Sequence, residues 1–467
     1  MKSLTEVFKA YDVRGLVPEQ LDAAMCRAVG SSFARFAAAS RMVVARDMRQ
    51  SGVELSRAFM EGAAAEGAHV IDLGLASTDL LYFASGHLDA PGAMFTASHN
   101  PAAYNGIKMC RAGALPVGED TGLDRIRAGA QALLDRPVPD GERGPDPGGI
   151  EPMDLLAAFA THVRSFVDPT VLKPLRVVAD TANGMGGLVV PEVFAGLGFD
   201  LEILFGELDG AFPNHPADPI QAENLVALQD RVASRGADVG LAFDGDADRV
   251  FLVDEESVGL SGSVTTAMVA KAVLAKKPGS SILYNLICSR AVPEVITENG
   301  GLPVRTRVGH SFIKQIMAAT GASFGGEHSG HYYFADNYRA DSGLIAALIV
   351  LELMSTDGRP LSVIRREFDR YSDSGEINTK VDDPLAVIEA VAGYFAQAAP
   401  GADQDRLDGL TVNMGDWWFN LRPSNTEPLL RLNLEAASPP ECEDHAHEVL
   451  ALITKFGAGS SGAGSGR

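Results

Sequence analysis

Asp244, Asp246 and Asp248 alternate along the chain, and Arg249 follows at once. On an extended backbone, residues i, i+2 and i+4 face the same way. Three carboxylates so aligned repel one another unless a cation lies between them. Hard oxygen donors suit Mg2+, which keeps positions open for a phosphate oxygen. An acidic surface turn and a calcium loop share the same start. A calcium loop of the EF-hand kind needs a glycine and a glutamate at set later offsets, whereas here Val250-Phe251-Leu252-Val253 continues as a strand. Val239-Gly240-Leu241-Ala242-Phe243 before the aspartates is also a strand, so the acidic loop hangs from a strand end, where α/β sites form.

Three further loops carry chemistry-bearing residues. Thr96-Ala97-Ser98-His99-Asn100-Pro101 follows the apolar run Ala93-Met94-Phe95 and puts the Ser98 hydroxyl on a polar loop. Such a serine is either a capping residue or a group-transfer nucleophile. Glu327, Ser329 and His331 alternate in a glycine-flanked loop, and carboxylate, hydroxyl and imidazole together suit recognition of sugar hydroxyls. Arg422-Pro423-Ser424-Asn425-Thr426-Glu427-Pro428 joins a guanidinium to short polar side chains, as an anion-binding loop or a capped turn would. Arg249 can hold a phosphate or sugar hydroxyl in its planar fork, or pair with a neighbouring carboxylate.

These loops need a scaffold. Met42-Val43-Val44-Ala45, Arg176-Val177-Val178-Ala179 and Ser281-Ile282-Leu283-Tyr284 each lead through a polar turn and a helix, closed near Gly67, Gly198 and Gly300, into a second apolar strand. That order marks a βαβ unit, and three copies predict three related α/β domains. After Gly375 the pattern changes to a strand, a helix, three more strands and a closing helix, which predicts a small α+β domain with an antiparallel sheet. A chain of 467 residues requires about three or four domains. The predicted boundaries are 1–146, 147–254, 255–369 and 370–456, with a linker from Pro137 to Pro152 and a flexible glycine-serine tail at 457–467.

Bulk composition narrows the partners. Hydrophobic and charged fractions of 46% and 21% are those of a soluble globular protein. A formal net charge of -22 argues against nucleic acid and anionic membranes, which are bound by basic surfaces. Cys26, Cys110, Cys288 and Cys442 lie far apart with no C-x-x-C pair, which predicts neither a zinc site nor a disulfide framework and fits a reducing cytoplasm. The first residues carry no apolar signal segment, and the longest apolar run, Leu344 to Leu351, is too short for a bilayer and predicts a buried helix.

The four loops, in this order and spacing, resemble those of the α-D-phosphohexomutase superfamily, specifically its phosphomannomutase/phosphoglucomutase branch. The resemblance runs to about Phe456. It also takes in Tyr11-Asp12-Val13-Arg14-Gly15, Asn105-Gly106-Ile107-Lys108 and Phe212 to Pro219. It implies three related α/β domains and a smaller fourth around a central cleft. It further implies that Ser98 is a phosphoserine and binds Mg2+ with Asp244, Asp246 and Asp248. Glu327 and Ser329 would recognise the sugar, and Arg422, Ser424, Asn425 and Thr426 the distal phosphate. The implied reaction moves a phosphoryl group between Ser98 and a hexose monophosphate through a hexose 1,6-bisphosphate, which also serves as activator.

Mannose phosphates are the expected substrates, with glucose phosphates second, in a monomer or dimer. A base and an acid are needed; Lys108, His310, His99 and Arg14 are the candidates, Lys108 first and His310 second. One departure stands out: some relatives carry a lysine in the loop that here reads Asn285-Leu286-Ile287-Cys288-Ser289-Arg290, which leaves Arg290 as the nearest cation. Competing readings are phosphoglucosamine mutase, whose sugar loop tends to hold Gln where His328 stands, a metal-dependent phosphatase, and a sugar-phosphate binder without activity.

Overall fold

The computed structural model describes residues 3–135, 148–423 and 429–457, with the side chains of His310 and Ser311 outside that set. Each of the three apolar repeats folds as a parallel strand–helix–strand unit. The units are Arg41–Arg46, Gly52–Ala65 and His69–Leu75; Arg176–Asp180, Gly186–Phe194 and Asp200–Leu204; and Ser281–Asn285, Ala291–Glu298 and Leu302–Thr306. Gly67, Gly198 and Gly300, after the three helices, have φ of 88°, 82° and 73°, a left-handed turn that only glycine takes at little cost.

Every unit extends into a mixed sheet. In the first, Val13–Leu16 and Tyr104–Arg111 add antiparallel strands beside Gly92–Phe95. In the second, Val239–Phe243 joins Arg176–Asp180 in parallel and Val250–Asp254 turns back against it. In the third, Phe324–Gly326 and Tyr332–Phe334 form the returning pair. The fourth sheet is antiparallel throughout, in the order Ser372–Lys380, Leu429–Ala436, Trp418–Pro423, Leu410–Asn413, Asp403–Asp405. Helices Pro384–Ala398 and Pro439–Gly457 cover it. The chain is thus three α/β domains and a smaller α+β domain.

Two boundaries move. Residues 136–147 of the expected linker lie outside the described set, but its far end is the strand Ile150–Pro152, paired in parallel with His69–Leu75. Backbone pairing therefore keeps 150–152 in the first domain, beyond the expected 146. Likewise Gly259–Leu260 pairs with Val250–Asp254, so the second sheet runs past 254.

One apolar core crosses the first three domains, from Val43 and Met94 through Val177 and Leu241 to Ile282 and Phe368. Its axis is the helix Gly343–Asp357, whose residues 343–352 are all buried; that is why the Leu344–Leu351 run has no polar face. The fourth domain has its own core. The core shared by three domains holds their strand-end loops in place, and the fourth domain is cored separately. No helix among the described residues is long and apolar enough to cross a membrane.

Candidate active site

Strand Gly92–Phe95 is buried along its length, and the chain leaves it at Thr96 into the serine loop. Ser98 takes φ 47°, and its amide donates to Thr96 Oγ1 at 2.8 Å. Arg49 holds this unfavourable turn. Its guanidinium is 1% exposed. It donates to the carbonyl oxygens of Ser98 at 2.8 Å, Asn100 at 2.6 Å, Pro101 at 2.8 Å and Tyr104 at 3.0 Å. The fifth donor, Nε, meets Asp47 Oδ2 at 3.2 Å, and Phe212 of the second domain stacks 5.1 Å away. Burial drags the Arg49 pKa down while Asp47 holds it up. Nothing local in the sequence marks Arg49: it lies three residues beyond the end of an ordinary strand, and its carbonyl partners are about fifty residues away.

The acidic loop leaves the buried strand Val239–Phe243 and meets the serine loop across Gly245. A Cβ at Gly245 would lie 2.5 Å from the Ser98 carbonyl oxygen, so only glycine lets the two loops close. Ser98 Oγ donates to Asp244 Oδ2 at 2.7 Å. Lys108 Nζ bridges Asp246 Oδ2 and Asp248 Oδ2, each at 2.7 Å, and Thr78 Oγ1 donates to Asp246 Oδ2 at 2.6 Å. One oxygen from each of the three aspartates lies within 4.8 Å of the others. Oδ1 of Asp246 and Oδ1 of Asp248 are buried with no hydrogen-bond partner among the described residues. Two orphaned carboxylate oxygens beside a serine hydroxyl fit a divalent cation, because a buried acceptor left unmet is costly.

Charge is tuned locally. Burial, reinforced by Asp248 and Asp246 against Arg249, pushes the Asp244 carboxyl up to about 7. Burial also acts on Asp246, but Lys108 outweighs it and pulls that pKa down. The two carboxylates in turn raise Lys108, against its own burial, so it keeps its proton. Arg249 donates to Asp244 Oδ2 through Nε at 3.0 Å and lies 2.8 Å from His99 Nδ1 through Nη2. A guanidinium only donates, so Nδ1 accepts and the imidazole proton lies on Nε2. Burial, then Arg249 and Arg14, drives His99 down to about 2. His99 is therefore neutral and no acid at ordinary pH, although it was a proton-transfer candidate. Arg14 donates to Asp12 Oδ2 at 2.6 Å, Asn100 Oδ1 at 2.5 Å and the Ala97 carbonyl at 3.4 Å.

In the third domain Glu327 is 2% exposed and fully engaged. Oε1 accepts from Asn285 Nδ2 and the Gly309 amide, both at 3.2 Å, and Oε2 accepts from Tyr333 at 2.7 Å. Ser329 is half-buried. His331 leans the other way from a purely sugar-facing role: Nδ1 is 2.9 Å from Asp341 Oδ2 and 3.9 Å from Asp248 Oδ1. It thus links the sugar loop to the acidic loop. Burial opposes its charge, but the two carboxylates raise its pKa. His310 opens the helix His310–Thr320; its side chain lies outside the described set.

Arg422 of the fourth domain donates to Glu376 Oε2 at 2.6 Å, and Arg431 lies 3.3 Å from Glu376 Oε1. Ser424, Asn425 and Thr426 lie outside the described residues. Arg422 and Arg431 line a cleft of about 850 Å3, opposite Tyr11 and Gly118 to Leu123 of the first domain and Arg307 and Phe312 of the third. Arg290 is not one of its walls. It donates to the Gly415 carbonyl at 2.6 Å, lies 3.5 Å from Glu435 and stacks over Tyr371 at 5.5 Å. That commits it to the joint between the third and fourth domains, which removes it as the cation expected near the substrate.

A hydroxyl pinned beside three carboxylates, two of them with unpartnered oxygens, and a cleft lined by Arg307, Arg422 and Arg431 between the first, third and fourth domains fit an enzyme that handles a charged ligand. Comparison with known proteins supplies the family. Models of the four phosphoglucomutase/phosphomannomutase domains match in order: alpha/beta/alpha domain I at residues 5–135, domain II at 157–259, domain III at 261–371 and the C-terminal domain at 376–452. A protein described as phosphohexose mutases from Xanthomonas campestris pv. campestris is 39% identical over 431 residues, 92% of this chain and 94% of that one. The phosphomannomutase of Salmonella montevideo is 37% identical over 461 residues, 97% and 100% of the two chains. The crystal structure of a phosphoglucomutase/phosphomannomutase family protein from Burkholderia thailandensis aligns with TM-score 0.85 and 30% identity over 97% and 98% of the chains. This chain belongs to the phosphoglucomutase/phosphomannomutase family and is a phosphohexomutase by that membership.

Proposed function

We propose that the enzyme is a phosphomannomutase that also accepts glucose phosphates, interconverting hexose 1-phosphate and hexose 6-phosphate through phosphorylated Ser98. The observation that carries this reading is the 2.7 Å bond from Ser98 Oγ to Asp244 Oδ2, beside the unpartnered oxygens of Asp246 and Asp248. Mg2+ held by those three aspartates and the Ser98 phosphate would neutralise charge on the phosphoryl group, which is most of what phosphoryl transfer requires.

The remaining roles belong to side chains. The P–O bond to Ser98 breaks as a new P–O bond forms to the free hydroxyl of the bound hexose phosphate. Lys108, set between Asp246 and Asp248, supplies a proton to the departing Ser98 oxygen, and His310 takes the proton of the attacking hydroxyl. The resulting hexose 1,6-bisphosphate turns over, and its other phosphate returns to Ser98. Arg249 and Arg14 offset charge around the serine, while neutral His99 accepts from Arg249. Glu327, Ser329 and His331 read sugar hydroxyls, and Arg422 with the 424–426 segment grips the phosphate that is not reacting. Because the sugar must fit in two orientations, discrimination at C2 is limited to about 1–3 kcal/mol per contact.

Free, buried cysteines support a cytoplasmic location. The test is a coupled assay of mannose 1-phosphate, glucose 1-phosphate and glucosamine 1-phosphate with a bisphosphate activator, alongside intact-mass analysis of Ser98. Mannose 6-phosphate as the faster product and a phosphate on Ser98 are expected. Release of inorganic phosphate without a 6-phosphate product sinks the reading.

A further inference from the structure

Arg307 stands apart in an acidic protein. The net charge is -22, and most arginines near it are paired. Arg305, two residues away, donates to Asp405 Oδ2 at 2.6 Å and Thr411 Oγ1 at 3.0 Å of the fourth domain. Arg307 is exposed, and among the described residues it makes no ion pair or hydrogen bond through its guanidinium. The strand Leu302–Thr306 ends between the two: Arg305 goes to the domain joint, and Arg307, just beyond the strand, is one of the residues lining the cleft.

The guanidinium is nonetheless held in place. It lies 4.6 Å above the Phe312 ring, and Phe312 meets Tyr11 of the first domain edge-on at 6.0 Å and 84°. The backbone beneath it is tied twice: the Val308 amide donates to Asp408 Oδ2 at 3.2 Å, and the Gly309 amide to Glu327 Oε1 at 3.2 Å. A guanidinium stacked on an aromatic face keeps its edge donors in one plane and unspent, the geometry that receives a phosphate in two parallel bonds. Arg422 and Arg431 line the same cleft, and the Nε of each is without a hydrogen-bond partner among the described residues.

We propose that Arg307 is a phosphate-contacting residue of the third domain, completing with Arg422 and Arg431 the clamp for the non-reacting phosphate of the sugar. This rests on the phosphohexomutase reading for the identity of the ligand. Because the substrate binds in two orientations, the clamp meets the 6-phosphate in one and the 1-phosphate in the other, and loss of Arg307 weakens both.

The experiment is calorimetric binding of glucose 1-phosphate and glucose 6-phosphate to the full chain carrying Ser98→Ala, which cannot turn over, with and without Arg307→Ala. Loss of a charge-assisted bond raises both Kd values about tenfold or more, with Arg307→Lys falling between and the melting temperature unchanged. In the enzyme with Ser98 intact, the same substitution raises KM for both sugar phosphates with the smaller effect on kcat. Equal Kd values with and without Arg307→Ala overturn the proposal, as does a rise for only one of the two ligands. If the intact enzyme releases inorganic phosphate instead of isomerising the sugar, the functional reading fails, and the Kd ratio still decides on Arg307.

Discussion

Around Ser98 the Arg49 guanidinium uses all five of its donors on the chain itself, whereas in the cleft between the first, third and fourth domains Arg307 makes no ion pair or hydrogen bond through its guanidinium among the described residues and the Nε of Arg422 and of Arg431 has no partner. Lys108 and Arg249 follow the first pattern, each held by aspartates of the acidic loop. The contrast separates two tasks. A transfer centre gains from groups that are oriented before the reaction and need not move when charge develops. The proposed clamp, which takes either end of one sugar, gains from donors left open, and Glu376 pairs with Arg422 and Arg431 in the unliganded chain.

Five measurements break or sharpen that contrast. Ser98→Ala removes the proposed phosphoryl acceptor and should cut turnover by about 10^4 or more while leaving sugar-phosphate affinity within about twofold; a matching loss of affinity would mean that the two ends are not separate. Arg49→Met strips four carbonyl oxygens and Asp47 of their partner. It should lower stability by about 3–5 kcal/mol in urea unfolding, and an unfolding midpoint like that of the unaltered chain would show the loop to be held by something else. Asp248→Asn should lower activity and Mg2+ affinity about 10–100-fold, read by titrating the metal against rate, with KM for the sugar moved least.

A pH effect comes next. Asp79 is buried where the first domain meets the third, accepting from Ser77 and from Ser342 Oγ at 2.7 Å. Burial pushes its carboxyl up to about 7, with the two hydroxyls opposing. Between the unfolded value near 4 and this folded value the native chain binds the extra proton. Stability from this group is therefore full below about pH 4 and falls by about 1.4 kcal/mol per unit as pH rises toward 7. Asp79→Asn should flatten that decline in calorimetric scans between pH 5 and 8. The smallest effect is expected at the surface: Arg35→Ala removes an exposed pair with Glu66 and should cost less than about 0.5 kcal/mol.

What could be read in advance follows the range of the interactions. The βαβ units, the serine loop and the acidic loop are written in neighbouring residues, since apolar alternation, a glycine stop and i, i+2, i+4 spacing are all local signals. Arg49, Asp79 and Arg307 are not, because their meaning comes from partners on other loops and domains. Arg290 shows the converse. Its place in the chain suggested the cleft, and only the tertiary packing against Glu435 and Tyr371 assigns it to the domain joint. The strand Ile150–Pro152 was hidden for another reason: its residues are exposed, so no apolar pattern marks them, and backbone pairing alone puts them in the sheet.

The backbone that Arg49 supports has a practical corollary. The shape of residues 98–104 is stored in a side chain that leaves the chain just after an earlier strand, and the clearance for it is stored in the missing side chain of Gly245. Anyone transplanting the serine loop to another scaffold would have to carry three non-contiguous fragments together. Cutting out the hexapeptide alone would deliver a serine with no instruction for where to point.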